Sequence, residues 1–245
     1  MAHYCFEVNG LSVDASYCTE DVQNVFLPLL KKWSTLQKEK GRRILVLMAG
    51  APGSGKSTLS LFLQHLSEQE KDLVPVQALG MDGFHHDNAW LKDHHTVRNG
   101  KEIPLLSIKG APETFDTEAL LERLKLARKE NAGWPAYSRI AHAPIDNAMT
   151  VSGDILLVEG NYFLLEEKPW DEMRALADDL LYVDVPQDVL LERLVSRKMA
   201  SGMSEQDARD FLAFSDGVNV KLVKQHSIPA DTTIRFNENN EVVKL

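Results

Sequence analysis

The sequence predicts an α/β fold, a doubly wound parallel sheet with helices on both faces, and three observations carry that prediction. Runs that are apolar at nearly every position (residues 44–48, 155–158 and 179–185) read as strands buried on both faces. Segments of helical period lie between such runs, the alternation that builds parallel sheets. The first run ends in a glycine-rich stretch, residues 50–55, that leads into a helix. A chain of 245 residues is long enough to enclose one such sheet.

Taken in order, residues 22–36 carry Val22, Val25, Phe26, Leu29, Leu30, Trp33 and Leu36 at helical spacing, with Pro28 as a candidate kink. A lysine-rich stretch, 38–43, precedes the apolar strand 44–48. A helix is expected over 56–66 and a strand over 74–79. Residues 80–115 fit neither period, and a segment of that length in a compact domain usually carries function or a small insertion. Asp116 caps a predicted helix through Leu120, Leu121, Leu124 and Ala127 that stops near Gly133. After strands 155–158 and 179–185, Pro186 opens a helix through Leu190, Leu191 and Leu194. Ser204 with Asp207 forms a capping box for one more helix, and 232–236 is the last core strand. The expected organisation is a helical extension, residues 1–42, packed on a domain spanning 43–245.

The net charge of −9 comes from 36 acidic against 27 basic residues, with no dense Lys/Arg cluster. Such a chain repels phosphate backbones overall, so neither nucleic acid nor an anionic membrane is an expected partner. Cys5 and Cys18 are the only cysteines and read as reduced, partly buried thiols rather than a disulfide framework. The first residues lack a basic region followed by an apolar stretch, and no apolar run approaches the roughly 18 residues of a membrane span. A cytoplasmic protein is expected, with a homo-oligomer left open.

The stretch Gly50-Ala51-Pro52-Gly53-Ser54-Gly55-Lys56-Ser57 matches G-x-x-x-x-G-K-[ST] at every specified position. Its glycines let successive N–H groups turn inward onto phosphate oxygens. Lys56 reaches the β- and γ-phosphates of a bound ATP in such a loop, the Ser57 hydroxyl ligates Mg²⁺, and Thr58 continues the contact into the helix. That helix aims its positive end at the same anion. Glu159 ends an apolar strand and is expected on the metal side, while Asp154 caps the strand's start. Asp82 follows the second strand and is positioned to accept a proton from an attacking alcohol, or else simply forms an Asp-Gly turn.

These residues together resemble the phosphoribulokinase/uridine kinase-like branch of P-loop kinases, which includes bacterial pantothenate kinase. Asp82-Gly83-Phe84-His85 is similar to that branch's second-strand Asp motif, and Val158-Glu159-Gly160 to its metal-side acid. Lys109-Gly110-Ala111-Pro112-Glu113-Thr114-Phe115-Asp116 and Val158-Glu159-Gly160-Asn161-Tyr162 most closely resemble the bacterial nucleoside/nucleotide kinase-like or fructose transport system kinase group. The resemblance runs from Arg43 to about Val223 and implies ATP-dependent transfer to a small-molecule acceptor.

By that resemblance Asp82 is the general base, and residues 187–217 form a lid whose Arg193 and Arg197 approach the phosphates. Arg197 is then a candidate transfer catalyst, although the fuller arginine-rich lid pattern of uridine kinases is absent. His85, Tyr137, Arg139, Glu159, Asn161 and Tyr162 are expected on the acceptor side, with Trp134–Arg139 as a substrate loop. His85, His86, His94 and His95 lack carboxylate partners at ligand spacing, so metal ligation is not expected of them, and His85 or His86 is read as hydrogen-bonding the acceptor. Two other readings stay open: an ATP-hydrolysing switch acting on a protein partner, and a module that binds nucleotide without chemistry. No N-K-x-D or L-S-G-G-Q motif occurs, which weakens GTPase and transporter-ATPase versions of the switch.

Overall fold

The computed structural model describes residues 2–243 apart from Asn9, Arg139, Ile140 and His142. The first elements in chain order are β1 (Ala2–Val8) and β2 (Leu11–Tyr17), an antiparallel hairpin running from the pair Ala2 and Tyr17 to Val8 and Leu11. Sequence reading expected only helix in this extension. Tyr4, Phe6 and Val8 alternate with the exposed His3, Cys5 and Glu7, and that period of two is the strand signature. Cys5 is exposed rather than partly buried, and its Sγ lies 3.0 Å from Ser12 Oγ.

The expected helix follows as α1 (Thr19–Asp21), a π-helical turn (Val22–Phe26) and α2 (Leu27–Lys40). Pro28 sits in the first turn of α2, where its missing N–H costs least, and the backbone widens just before it. Gly41, at φ 59°, ends the helix in the left-handed conformation. Trp33 Nε1 and Lys32 Nζ both donate to Asp179, each at 2.6 Å, fixing α2 across the lower edge of the sheet.

The core comprises β3 (Ile44–Gly50), α3 (Lys56–Gln69) and β4 (Val76–Gly80), then α4 (Asn88–Asp93) and the short hairpin β5 (His95–Arg98) with β6 (Lys101–Pro104). Next come α5 (Thr117–Ala127), the hairpin β7 (Ala132–Ser138) with β8 (Ala143–Val151), β9 (Ile155–Gly160), α6 (Trp170–Arg174) and β10 (Asp179–Asp184). The chain continues through α7 (Gln187–Ala200), α8 (Glu205–Phe211), a second π-helical turn (Leu212–Asp216), α9 (Gly217–His226) and β11 (Thr232–Arg235). The Asp116 and Ser204 caps form as their sequences predict: Asp116 Oδ1 accepts from Ala119 N at 2.9 Å and Ser204 Oγ from Asp207 N at 3.2 Å.

Five of these strands make one parallel sheet in the order β11-β10-β3-β9-β4. Every residue of β3 and β9 is buried, the consequence of helices covering both faces. From β3 the chain crosses to β4 on one side of the sheet and from β10 to β11 on the other, so the ends of β3 and β10 border a crevice at the topological switch point, where open α/β sheets bind ligands. The unassigned segment 80–115 is an insertion with a small core of its own, Leu91, Leu105, Ile108 and Ala111. At the opposite end of the sheet Asp178 gathers Lys40, Arg42 and the Leu45 N–H. Among the described residues no helix is long and apolar enough to cross a membrane.

Candidate active site

The crevice opens into a cavity of about 1130 Å³ above the sheet. Gly53 and Gly55 take φ values of 83° and 84°, the left-handed conformation that lets the loop between β3 and α3 curl around an anion. Pro52, Gly53, Gly55, Lys56, Ser57 and Thr58 line the cavity floor, while Gly50, Ala51 and Ser54 form the turn beneath. Lys56 is 6% exposed, and its Nζ donates to Asn161 Oδ1 at 2.8 Å and to the Ala51 carbonyl at 3.2 Å. Burial pulls the Lys56 ammonium below its usual range. The Glu159 and Asp82 charges oppose that, and Arg197 adds to it.

Ser57 Oγ donates to Glu159 Oε1 at 2.7 Å, so the two groups expected around a magnesium ion already touch. A hydroxyl and one carboxylate fit Mg²⁺, which prefers few protein oxygens and fills its shell with phosphate and water. Among the described residues no cluster of three or more His, Cys, Asp or Glu could hold a metal by itself, so phosphates would have to complete the shell.

Asp82 sits in a 3-10 turn (Met81–Phe84) directly after β4 and lines the cavity. The Asp-Gly sequence has a packing reason: a Cβ on Gly83 would lie 2.3 Å from the Pro135 carbonyl oxygen, so only glycine lets the turn meet β7. Trp134 Nε1 donates to the Gly80 carbonyl at 2.9 Å and fixes the same approach. His85 Nδ1 lies 2.9 Å from the Asp82 carbonyl oxygen, and its ring packs on Phe115 at 3.9 Å between centroids. Burial lowers the His85 imidazole below its usual range against the pull of the Asp82 charge. His86 and His94 sandwich Trp90, each 3.6 Å between centroids, so these histidines act as stacking partners.

Arg193 and Arg197 project from α7 to the cavity wall. Arg193 donates to the Gly53 carbonyl at 3.2 Å and also to Asn240. Tyr137 and Asn161 line the cavity as well. Tyr137 belongs to strand β7 rather than to a loop, which corrects the expected substrate loop; Arg139 lies outside the described residues. Tyr162 is a second correction. It is fully buried, does not line the cavity, and its hydroxyl donates to the Gly110 carbonyl, supporting the turn beside Lys109. Burial raises its phenol well above the usual range.

Sequence reading missed several cavity residues: Asn88, Lys109, Asp216 and Asn219, and Val8, Ser12 and Val13 from the first hairpin. Lys109 Nζ donates to Asn88 Oδ1 at 2.7 Å and lies 4.9 Å from the Tyr137 ring centroid. Asp216 and Asn219 carried a readable signal: with Val220 and Val223 they share the buried face of one helical segment, where polar residues are out of place.

The profile of the Phosphoribulokinase / Uridine kinase family matches residues 45–242. The chain belongs to that family. It is 40% identical over 232 residues to the uncharacterized protein YggC of Escherichia coli strain K12, covering 94% of each chain. It is 29% identical over 216 residues to the pantothenate kinase of Citrobacter koseri, covering 78% of this chain and 65% of that one. A crystal structure from Silicibacter sp. TM1040, provisionally named a fructose transport system kinase, superposes with a TM-score of 0.71 at 33% identity, over 83% of this chain and 98% of that one. Family and fold make this protein a P-loop kinase of the uridine/pantothenate kinase type.

Proposed function

We propose that the protein transfers the γ-phosphoryl group of ATP to a hydroxyl of a small molecule of the sugar, nucleoside or pantothenate-like kind. The observation that carries this is one cavity of about 1130 Å³ bordered by the phosphate loop, the Ser57–Glu159 pair and Asp82, with His85, Tyr137 and Asn161 in the same lining. The P-loop N–H groups and Lys56 hold the phosphates, and Arg193 and Arg197 offset charge that spreads as the phosphoryl group moves. Mg²⁺, held through Ser57 and Glu159, would neutralise charge on the β- and γ-oxygens. Asp82 accepts the proton of the acceptor hydroxyl, with His85, Tyr137 and Asn161 orienting the acceptor. Catalysis on this reading is positioning and electrostatics.

Residues 187–217 serve as the lid, and residues 1–42 as an extension that covers α3 and reaches the cavity with its hairpin tip. Several features support this arrangement: Arg193 touches the P-loop from α7, and Tyr4 and Tyr17 pack on Phe62 at 5.0 and 4.0 Å between centroids. The test is ATP consumption with Mg²⁺ against sugars, nucleosides, pantothenate and related alcohols, with product masses checked for one added phosphoryl group. Phosphate release that no compound alters would overturn the transfer reading and favour a switch.

A further inference from the structure

We infer that Asn240, in the turn after the last strand, is a positioning residue: it holds the Arg193 guanidinium on the phosphate loop, where a nucleotide's phosphates can meet it. This rests on the kinase reading above and deepens its account of the same site.

Arg193 stands on α7 between Leu190 and Leu194, the two residues that pack on Gly53. A Cβ on Gly53 would lie 3.2 Å from the Leu190 carbonyl oxygen and 3.3 Å from Leu194 Cγ, so helix and loop are in close contact. Arg193 Nη1 donates to the Gly53 carbonyl at 3.2 Å, and its Nη2 donates to Asn240 Oδ1. Both acceptors are neutral. Among the described residues Arg193 has no ion pair, whereas Arg42, Arg209 and Arg235 rest on carboxylates. Burial pushes its guanidinium below the usual range, with no acid pulling it back. A half-buried cation without a counter-charge thus forms part of the cavity wall, and a phosphate supplies the partner it lacks.

Asn240 is itself held in place. Its φ of 63° is left-handed, a conformation that asparagine tolerates better than most side chains. Its N–H donates to the Asn237 carbonyl at 3.2 Å, and Asn237 Oδ1 accepts from the Asn239 and Glu241 N–H groups at 2.9 and 3.0 Å. Two residues on, Val242 donates its N–H to Asp21 Oδ2 at 3.2 Å, which ties the turn to α1. The N-terminal extension braces the turn, the turn fixes Asn240, and Asn240 aims Arg193.

The chemistry of the amide suits that task. Arg193 and Asn240 also border an open groove of about 530 Å³ whose lining includes Asp188, Glu192 and Glu238. Released from Asn240, the guanidinium has carboxylates there to turn to, and pairing with one would draw it off the loop and offset its charge. An amide oxygen gives the guanidinium a direction while leaving its full charge for the ligand.

The test is calorimetric titration of a non-hydrolysable ATP analogue with Mg²⁺ into the wild type, Asn240→Gly, Arg193→Ala and the double variant, with thermal midpoints alongside. Glycine accepts the left-handed turn and removes only the side chain. Asn240→Gly should weaken binding of the analogue by roughly tenfold, Arg193→Ala by at least as much, and the double variant no further than Arg193→Ala alone. A residue that only stabilises the turn would lower the midpoint without moving affinity, or would cost the same factor again in the Arg193→Ala background. Either result overturns the inference, as does an Arg193→Ala protein that binds like the wild type. None of these readings needs phosphoryl transfer: the expected coupling without a phosphorylated product from any acceptor would sink the kinase reading and leave Asn240 in its role.

Discussion

At the phosphate end of the cavity, the chain supplies its own partners: Lys56 rests on Asn161 and Ala51, and Ser57 on Glu159. At the far end, Asp216 Oδ2 and Asn219 Oδ1 are buried and have no hydrogen-bond partner among the described residues. The first region is preorganised, so a nucleotide exchanges one set of hydrogen bonds for another and little is rearranged. The second is unsatisfied. On the proposed reading, the preorganised groups would act alike on every acceptor, and the choice among acceptors would fall to the other end.

Substitutions can separate those two jobs. The largest effect is expected for Asp82→Asn, which should lower transfer by roughly 10²–10⁴-fold while ATP affinity holds. Single-turnover assays and nucleotide titration check this, and normal transfer would remove Asp82 from the role of base. Lys56→Ala should cost roughly 10²–10³-fold in kcat/KM, by the same factor for every acceptor. A change in acceptor ranking by that variant would break the division between the two ends.

Glu159→Gln keeps a partner for Ser57 but removes the charge, and should raise the Mg²⁺ concentration for half-maximal activity by roughly tenfold. A Mg²⁺ titration reads it directly; an unmoved midpoint would take Glu159 out of the metal site.

Away from the cavity, Asp178→Ala should lower stability by roughly 1–3 kcal/mol and leave the kinetics of both ends alone. Burial pushes the Asp178 carboxyl up, but hydrogen bonds from Arg42, Lys40 and the Leu45 N–H, with the Arg128 charge, outweigh it and hold the group below the usual carboxylate range. A depressed folded value means the stabilisation is full above the ordinary carboxyl range, near pH 4, and fades as the pH falls through the folded value. Denaturation midpoints of wild type and variant should therefore differ at neutral pH and converge in strong acid.

The same contrast explains what the sequence made legible. The strands β3, β9 and β10 are covered on both faces or nearly so, and their unbroken apolar runs announce them. The phosphate loop is legible because its chemistry is local: Gly53, Gly55, Lys56 and Ser57 act within one turn of chain. The hairpins were harder. The first one shows its alternation in Tyr4, Phe6 and Val8, but over too few residues to stand out beside the stronger helix signal that follows. In β7, Pro135 and the register shift between Trp134 and Ala136 interrupt the pattern, and the strand is held by β8 and by the Asp82 turn. The far end of the cavity was least visible because Asn88, Lys109 and the helical pair Asp216 and Asn219 meet only in the folded chain.

The first hairpin has a consequence that can be read by hydrogen exchange. Two strands alone are marginally stable in water, so the closure of β1 on β2 depends on what it rests against. One support is Phe62, beneath Tyr4 and Tyr17 on the helix that begins at the phosphate loop; the other is the cavity wall at Val8, Ser12 and Val13. Anything that occupies the cavity and touches that wall slows the opening of the hairpin by mass action. The amides of residues 3–17 then serve as a built-in gauge of occupancy, recording a bound molecule before any phosphate has moved.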